Sequence, residues 1–210
     1  MVQAVGAGSS PPAVIGVRRR PHTSLVNDGV ELIGGQEKRE ICMVAPDSSW
    51  PQRFRSEQAR IMVALGAVAL RVDHIGSTSV AGLVAKPIID IDVSVSDPDD
   101  EVSYLPHMLA AGYLLRVREP GHRMFRTPDL DVHVHVCAQG SQWERRHLLF
   151  RDWLRHDERD RAAYGQLKTD LARREWSDMN TYAAAKGPLI AAITERAERW
   201  AGAGGWMLST

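Results

Sequence analysis

The run Pro87-Ile88-Ile89-Asp90-Ile91-Asp92-Val93-Ser94-Val95 constrains this chain more than any other segment, because it reads as an aliphatic strand carrying two acids. Side chains alternate along a strand, so Asp90 and Asp92 leave the same face, about 7 Å apart. One face is therefore aliphatic and the other doubly acidic. Unpaired carboxylates are costly to bury, so the acidic face either meets water at a sheet edge or holds a cation. Upstream, His74-Ile75-Gly76-Ser77-Thr78-Ser79-Val80 is a turn of small residues whose backbone amides and hydroxyls approach an anionic group closely. Such turns are common on surfaces. Coupled to a following Asp-x-Asp strand, the turn becomes a receiver for a triphosphate, with the carboxylates holding the metal that bridges it to an attacking group.

The surrounding pattern predicts one α+β domain: a mixed β-sheet with packed helices and a C-terminal helical region. A helix starts near Trp50, with Trp50, Phe54, Ile61, Met62 and Leu65 near one face, Pro51 in its first turn and Gly66 at its end. Strands are expected at 69–75, 87–95, 113–118, 122–127 and 130–136, with a short helix over 101–112. From Trp143 the period is helical, and the apolar groups predict three helices. Residues 1–42, rich in Gly, Pro, Ser and Arg, read as a flexible extension, in which Arg18, Arg19 and Arg20 form a solvated tail. The domain is expected over 43–200, followed by a Gly-rich tail over 201–210 in which Trp206 is a possible surface anchor.

The segment HIGSTSVAGLVAKPIIDIDV, with VAPDSSWPQRFRSE before it and DVHVHV, FRDWLR and YGQLK after it, resembles the GrpB family over about residues 43–195. The resemblance implies the polymerase-beta-type nucleotidyltransferase fold. In that superfamily a Gly-Ser turn precedes an acid-x-acid strand, and a third acid stands on a later strand. Gly76, Ser77, Asp90 and Asp92 match the first two parts. At the third, this chain has Asp131-Val132-His133-Val134-His135-Val136, whose odd-numbered residues share a strand face. The residues leave open whether Asp131 or a histidine completes the site.

The resemblance implies transfer of a nucleoside monophosphate from an NTP, ATP being the first choice, to a small-molecule acceptor, a carboxylate among the options. Asp90, Asp92, His133 and His135 are the candidate catalytic residues, with Asp90, Asp92, Asp131 and His135 the candidate metal ligands. Gly76, Ser77, Thr78, Ser79, Lys86 and Arg123 are the candidate nucleotide contacts. An oxygen-rich site favours Mg²⁺ or Mn²⁺, and a histidine has the pKa of a general base. The alternatives are a module that binds a nucleotide or partner without turnover, and a metal-dependent phosphohydrolase.

Composition narrows the partners. Lys and Arg number 26 and Asp and Glu also 26, so there is no global positive field to hold long nucleic acid. No run approaches the roughly 18 apolar residues of a membrane span. Cys42 and Cys137 form no CxxC pair, which with the absence of a signal-like start predicts free thiols in a cytoplasmic protein.

Overall fold

A computed structural model describes residues 23–26 and 29–207. Seven strands form one mixed sheet: β1 (Thr23–Val26), β2 (Val30–Ile33), β3 (Arg71–Ile75), β4 (Ile89–Val95), β5 (Leu114–Glu119), β6 (His122–Arg126) and β7 (Val132–Ala138). Their order across the sheet is β1-β2-β5-β6-β7-β4-β3, and among the described residues only β4 and β7 pair in parallel. The anticipated α+β architecture is what the chain adopts.

Period-2 alternation gives the sheet two different faces. Ile89, Ile91, Val93 and Val95 of β4 join Val132, Val134 and Val136 of β7 and Phe125 of β6 in a core with Ile61 and Leu65 of α1 (Trp50–Leu65) and Met108 of α2 (Leu105–Ala110). Pro51 enters the first turn of α1, and Gly66 ends it at φ +52°, a conformation that costs glycine little. The second face is covered by α3 (Gln142–His156), α4 (Glu158–Ala172) and α6 (Gly187–Trp200), which bury Leu149, Leu154, Tyr164 and Ile193 with Val80 and Leu83 in a second apolar cluster.

Four helices follow the sheet instead of the expected three. Asp178 accepts the amides of Asn180 and Thr181 in a capping box and starts the separate helix α5 (Met179–Ala184), and Pro188 in the first turn of α6 opens the next. Part of the segment 1–42, expected as a flexible extension, belongs to the sheet. Val30–Ile33 pairs with β5, and Glu37 accepts both Nη groups of Arg126 at 2.9 and 2.7 Å. Arg18, Arg19 and Arg20 lie outside the described residues. In the tail, Trp206 Nε1 donates to Asp152 at 2.9 Å, the anchor the sequence suggested. No helix among the described residues is long and apolar enough to cross a membrane.

Candidate functional site

Register assembles the centre of the site. In the parallel β4–β7 pair Asp90 stands beside His133 and Asp92 beside His135, and in the antiparallel β3–β4 pair Asp73 stands beside Asp92. Three acids and two histidines therefore share one face. His133 Nδ1 bonds Asp90 Oδ1 at 3.2 Å, and His147 Nδ1 of α3 bonds Asp92 Oδ2 at 2.9 Å. His135 Nδ1 meets His122 Nε2 at 3.0 Å, and His122 Nδ1 donates to Glu119 at 2.6 Å.

The two aspartates have opposite electrostatics. Asp92 is fully buried, and burial raises its pKa against the lowering effect of the His147 bond. Burial is also the largest influence on Asp90, but the His133 bond and the charges of His133, His135 and Lys86 together outweigh it, and its pKa is lowered. Burial first, then the neighbouring His122 and His147, holds His135 well below the ordinary histidine value.

The Gly76–Ser79 turn is fixed from inside. Gly76 has φ +66°, and a Cβ there would lie 2.4 Å from Asp90 Oδ2, so only glycine permits the close approach. Ser77 Oγ accepts from Lys168 Nζ at 2.7 Å, and Ser79 Oγ donates to the Gly76 carbonyl at 2.6 Å. Thr78 is buried, its Oγ1 donating to the Ile88 carbonyl at 3.0 Å and bonding His74 at 3.1 Å. From α3, Arg155 grips the Ser79 carbonyl at 2.9 and 3.1 Å, and Arg151 donates to the His74 carbonyl at 3.1 Å.

A cavity of about 900 Å³ opens at this turn, with Gly76, Ser77, Asp90 and His135 on one side. Arg146, His147, Phe150 and Arg151 of α3 form the second wall, and Ile190, Thr194 and Glu198 of α6 the third. A smaller cavity of about 330 Å³ lies on the other side of the Asp90–His133 pair, lined by His133, Lys86, Arg126, Tyr182 and Lys186 among others.

Of the anticipated nucleotide contacts, Gly76 and Ser77 face the larger cavity. Thr78 and Ser79 spend their hydroxyls inside the turn, and Lys86 lines the smaller cavity. Arg123 is a correction. Its register partner is Val136, so it leaves the opposite face of the sheet, where Glu101 and Asp99 hold it at 2.5 and 3.0 Å. Asp131 is another. Strand β7 begins only at Val132, after a turn in which Leu130 has φ +64°, so the alternation does not extend to Asp131. Its carboxylate accepts from Arg53 at 2.9 Å and Thr127 at 2.7 Å instead. The four-residue ligand set of Asp90, Asp92, Asp131 and His135 therefore does not assemble, and the described residues contain no group of three or more His, Cys, Asp or Glu arranged to hold a metal ion. Of the two strand acids, Asp90 opens onto the larger cavity, and Asp92 stands behind it, fully buried with its carboxylate bonded to His147.

His147, Arg146 and the α6 wall carried no local sequence signal, since only tertiary packing brings them to the strand. Spacing placed Asp73 on a strand, and its position beside Asp92 follows only from the β3–β4 register.

These features define a class: an α+β protein whose Gly-Ser turn and first strand acid, Asp90, open onto a cavity of about 900 Å³. The sequence profile described as GrpB protein matches residues 40–196, and the chain belongs to the GrpB family. It is 51% identical over 180 residues to a UPF0157 protein of Streptomyces coelicolor, covering 86% of this chain and 94% of that protein. The crystal structure of conserved protein GrpB from Enterococcus faecalis superposes with a TM-score of 0.67 at 30% identity, covering 76% of this chain and 99% of that one. A Mycobacterium tuberculosis protein named dephospho-CoA kinase is 33% identical over 193 residues, a match that takes in 78% of this chain but only 47% of the kinase.

Proposed function

We propose that the larger cavity binds a nucleoside triphosphate, ATP being the first candidate, and that the site transfers its nucleoside monophosphate to a small-molecule acceptor. The observation that carries this reading is the meeting of the Gly76–Ser77 turn, Asp90, Arg146 and Arg151 around one cavity of about 900 Å³, within the size range of small-molecule and cofactor sites. The turn offers a close backbone approach to phosphate, and Arg146 offers a forked donor to its oxygens, whereas the fork of Arg151 is held by Asp152 and contributes charge to the wall. Phe150, Leu154 and Ile190 supply apolar surface for a base.

Asp90 and Asp92 would hold Mg²⁺, which supplies charge neutralisation to the phosphates when bound. In the transfer, an acceptor oxygen forms a bond to the α-phosphorus. The bond from that phosphorus to the bridging oxygen breaks, and pyrophosphate departs with its electron pair. The acceptor proton passes to His133, which shares its Nδ1 bond with Asp90, or to water. Lys168 orients the turn through Ser77.

A second reading, a binding module without turnover, draws support from the full burial of Asp92 behind His147. Incubation with each labelled NTP and Mg²⁺ or Mn²⁺ separates the readings. Transfer gives pyrophosphate and a labelled adduct, hydrolysis gives free phosphate or nucleotide, and a module binds without product.

A further inference from the structure

The cavity of about 330 Å³ beyond His133 is built unlike the larger one. Lys86 and Lys186 lie over the same Tyr182 ring, 5.4 and 4.8 Å from its centroid. Neither makes an ion pair with a carboxylate among the described residues. Burial lowers the pKa of both, that of Lys186 to about 8, against the raising effect of the Asp90 charge.

The guanidinium groups around the cavity compete for one acid. Arg126 and Arg116 both pair with Glu37, as does Arg39. With its two Nη groups on Glu37, Arg126 still has a buried Nε–H that lacks a hydrogen-bond partner. A buried unsatisfied donor is costly, and an oxyanion is the group that would satisfy it together with the two lysines. Two further acids line this cavity, but Glu40 is exposed and Asp178 accepts the amides of Asn180 and Thr181, while Asp90 faces the larger cavity and accepts from His133.

We propose that this smaller cavity is the acceptor site and that it selects a small molecule bearing a carboxylate or phosphate, held by Lys86, Lys186 and the Arg126 Nε–H. The assignment as acceptor site rests on the nucleotidyl-transfer reading, whereas the anion site itself stands on the geometry. An acceptor anchored there lies next to His133, across the Asp90–His133 pair from the nucleotide cavity.

Isothermal titration of the full chain with inorganic phosphate and, separately, with succinate tests the inference. Wild type is expected to bind at least one of them, and the one that binds assigns the acceptor's anionic group. Lys186→Met should weaken that binding by about tenfold, as should Lys86→Met, through loss of a charge-assisted bond. Arg173→Met, on an exposed side chain that lines neither cavity, should leave it unchanged. If wild type binds neither anion, or if both lysine variants melt as wild type and bind with its affinity, the site is refuted. Loss of binding in Arg146→Met alone would move the anion to the larger cavity and refute it equally. Failure of the nucleotide reading shows separately, as anion binding that depends on the lysines in a protein that binds no NTP, and it would remove the acceptor role alone.

Discussion

Gly76 and Asp90 are coupled by contact. A side chain at position 76 meets the Asp90 carboxylate at 2.4 Å and adopts φ +66°, so two penalties add. Gly76→Val should destabilise the protein by about 2–4 kcal/mol and weaken NTP binding, measured by thermal melting and calorimetric titration. Unchanged melting would show that Asp90 yields freely and that the turn is not rigid. Asp92→Asn has a different expected outcome. The amide keeps an oxygen to accept from His147 and removes a buried charge whose pKa burial has raised, so melting should stay level or rise. Nucleotidyl transfer should nevertheless be lost. An Asp92→Asn enzyme with wild-type turnover would show that the carboxylate is only a partner for His147.

At the scale of elements, α3 and the edge strand β2 govern how the site is held. Arg155 is partly exposed, and its grip on the Ser79 carbonyl ties α3 to the turn. Arg155→Met should therefore cost less than about 1 kcal/mol of global stability, while hydrogen exchange at the amides of 76–80 accelerates and NTP affinity falls. Glu37 links the segment after β2 to Arg126. The Arg126 hydrogen bond is the largest of the influences that lower its pKa from 4.5 to about 2. A depressed carboxylate contributes stability that is full above 4.5 and is lost as pH falls toward 2. Glu37→Gln should thus flatten the acid limb of a stability-versus-pH curve, by on the order of 1 kcal/mol for a pair that solvent screens. An acid limb identical to wild type would remove Glu37 from the account.

The elements also show what could be read before folding. Period-2 alternation gave β4 and β7 their faces, so Asp90, Asp92, His133 and His135 were legible as neighbours once the two strands paired. Asp131 and Arg123 were misread because alternation holds only inside a strand and cannot state which face meets which layer. Val30–Ile33 is a short strand between glycines, and its place in the sheet depends on pairing with β5, a partner more than 80 residues away. His147 and Arg146 required the packing of α3 against the sheet. Helical spacing marked that helix but not its rotation about its own axis.

For the whole molecule, pH reports the charge gathered around Asp90. Burial and then the charge of Lys186 hold Lys168 at about 7, well below the ordinary 10.5. Between those values the unfolded chain binds a proton that the folded one does not, so stability rises with pH across that window and the penalty is full below about 7. Lys168→Met should reduce this slope in chemical denaturation at pH 7 and pH 9; an unaltered slope would place the titration elsewhere. The most direct test of the central claim is pyrophosphate release by the purified protein given ATP, Mg²⁺ and an extract of cellular small molecules. The account predicts release with a labelled adduct from wild type and neither from Asp90→Asn or Asp92→Asn. Wild type that neither binds ATP nor releases pyrophosphate, with any of the four common NTPs, would contradict it.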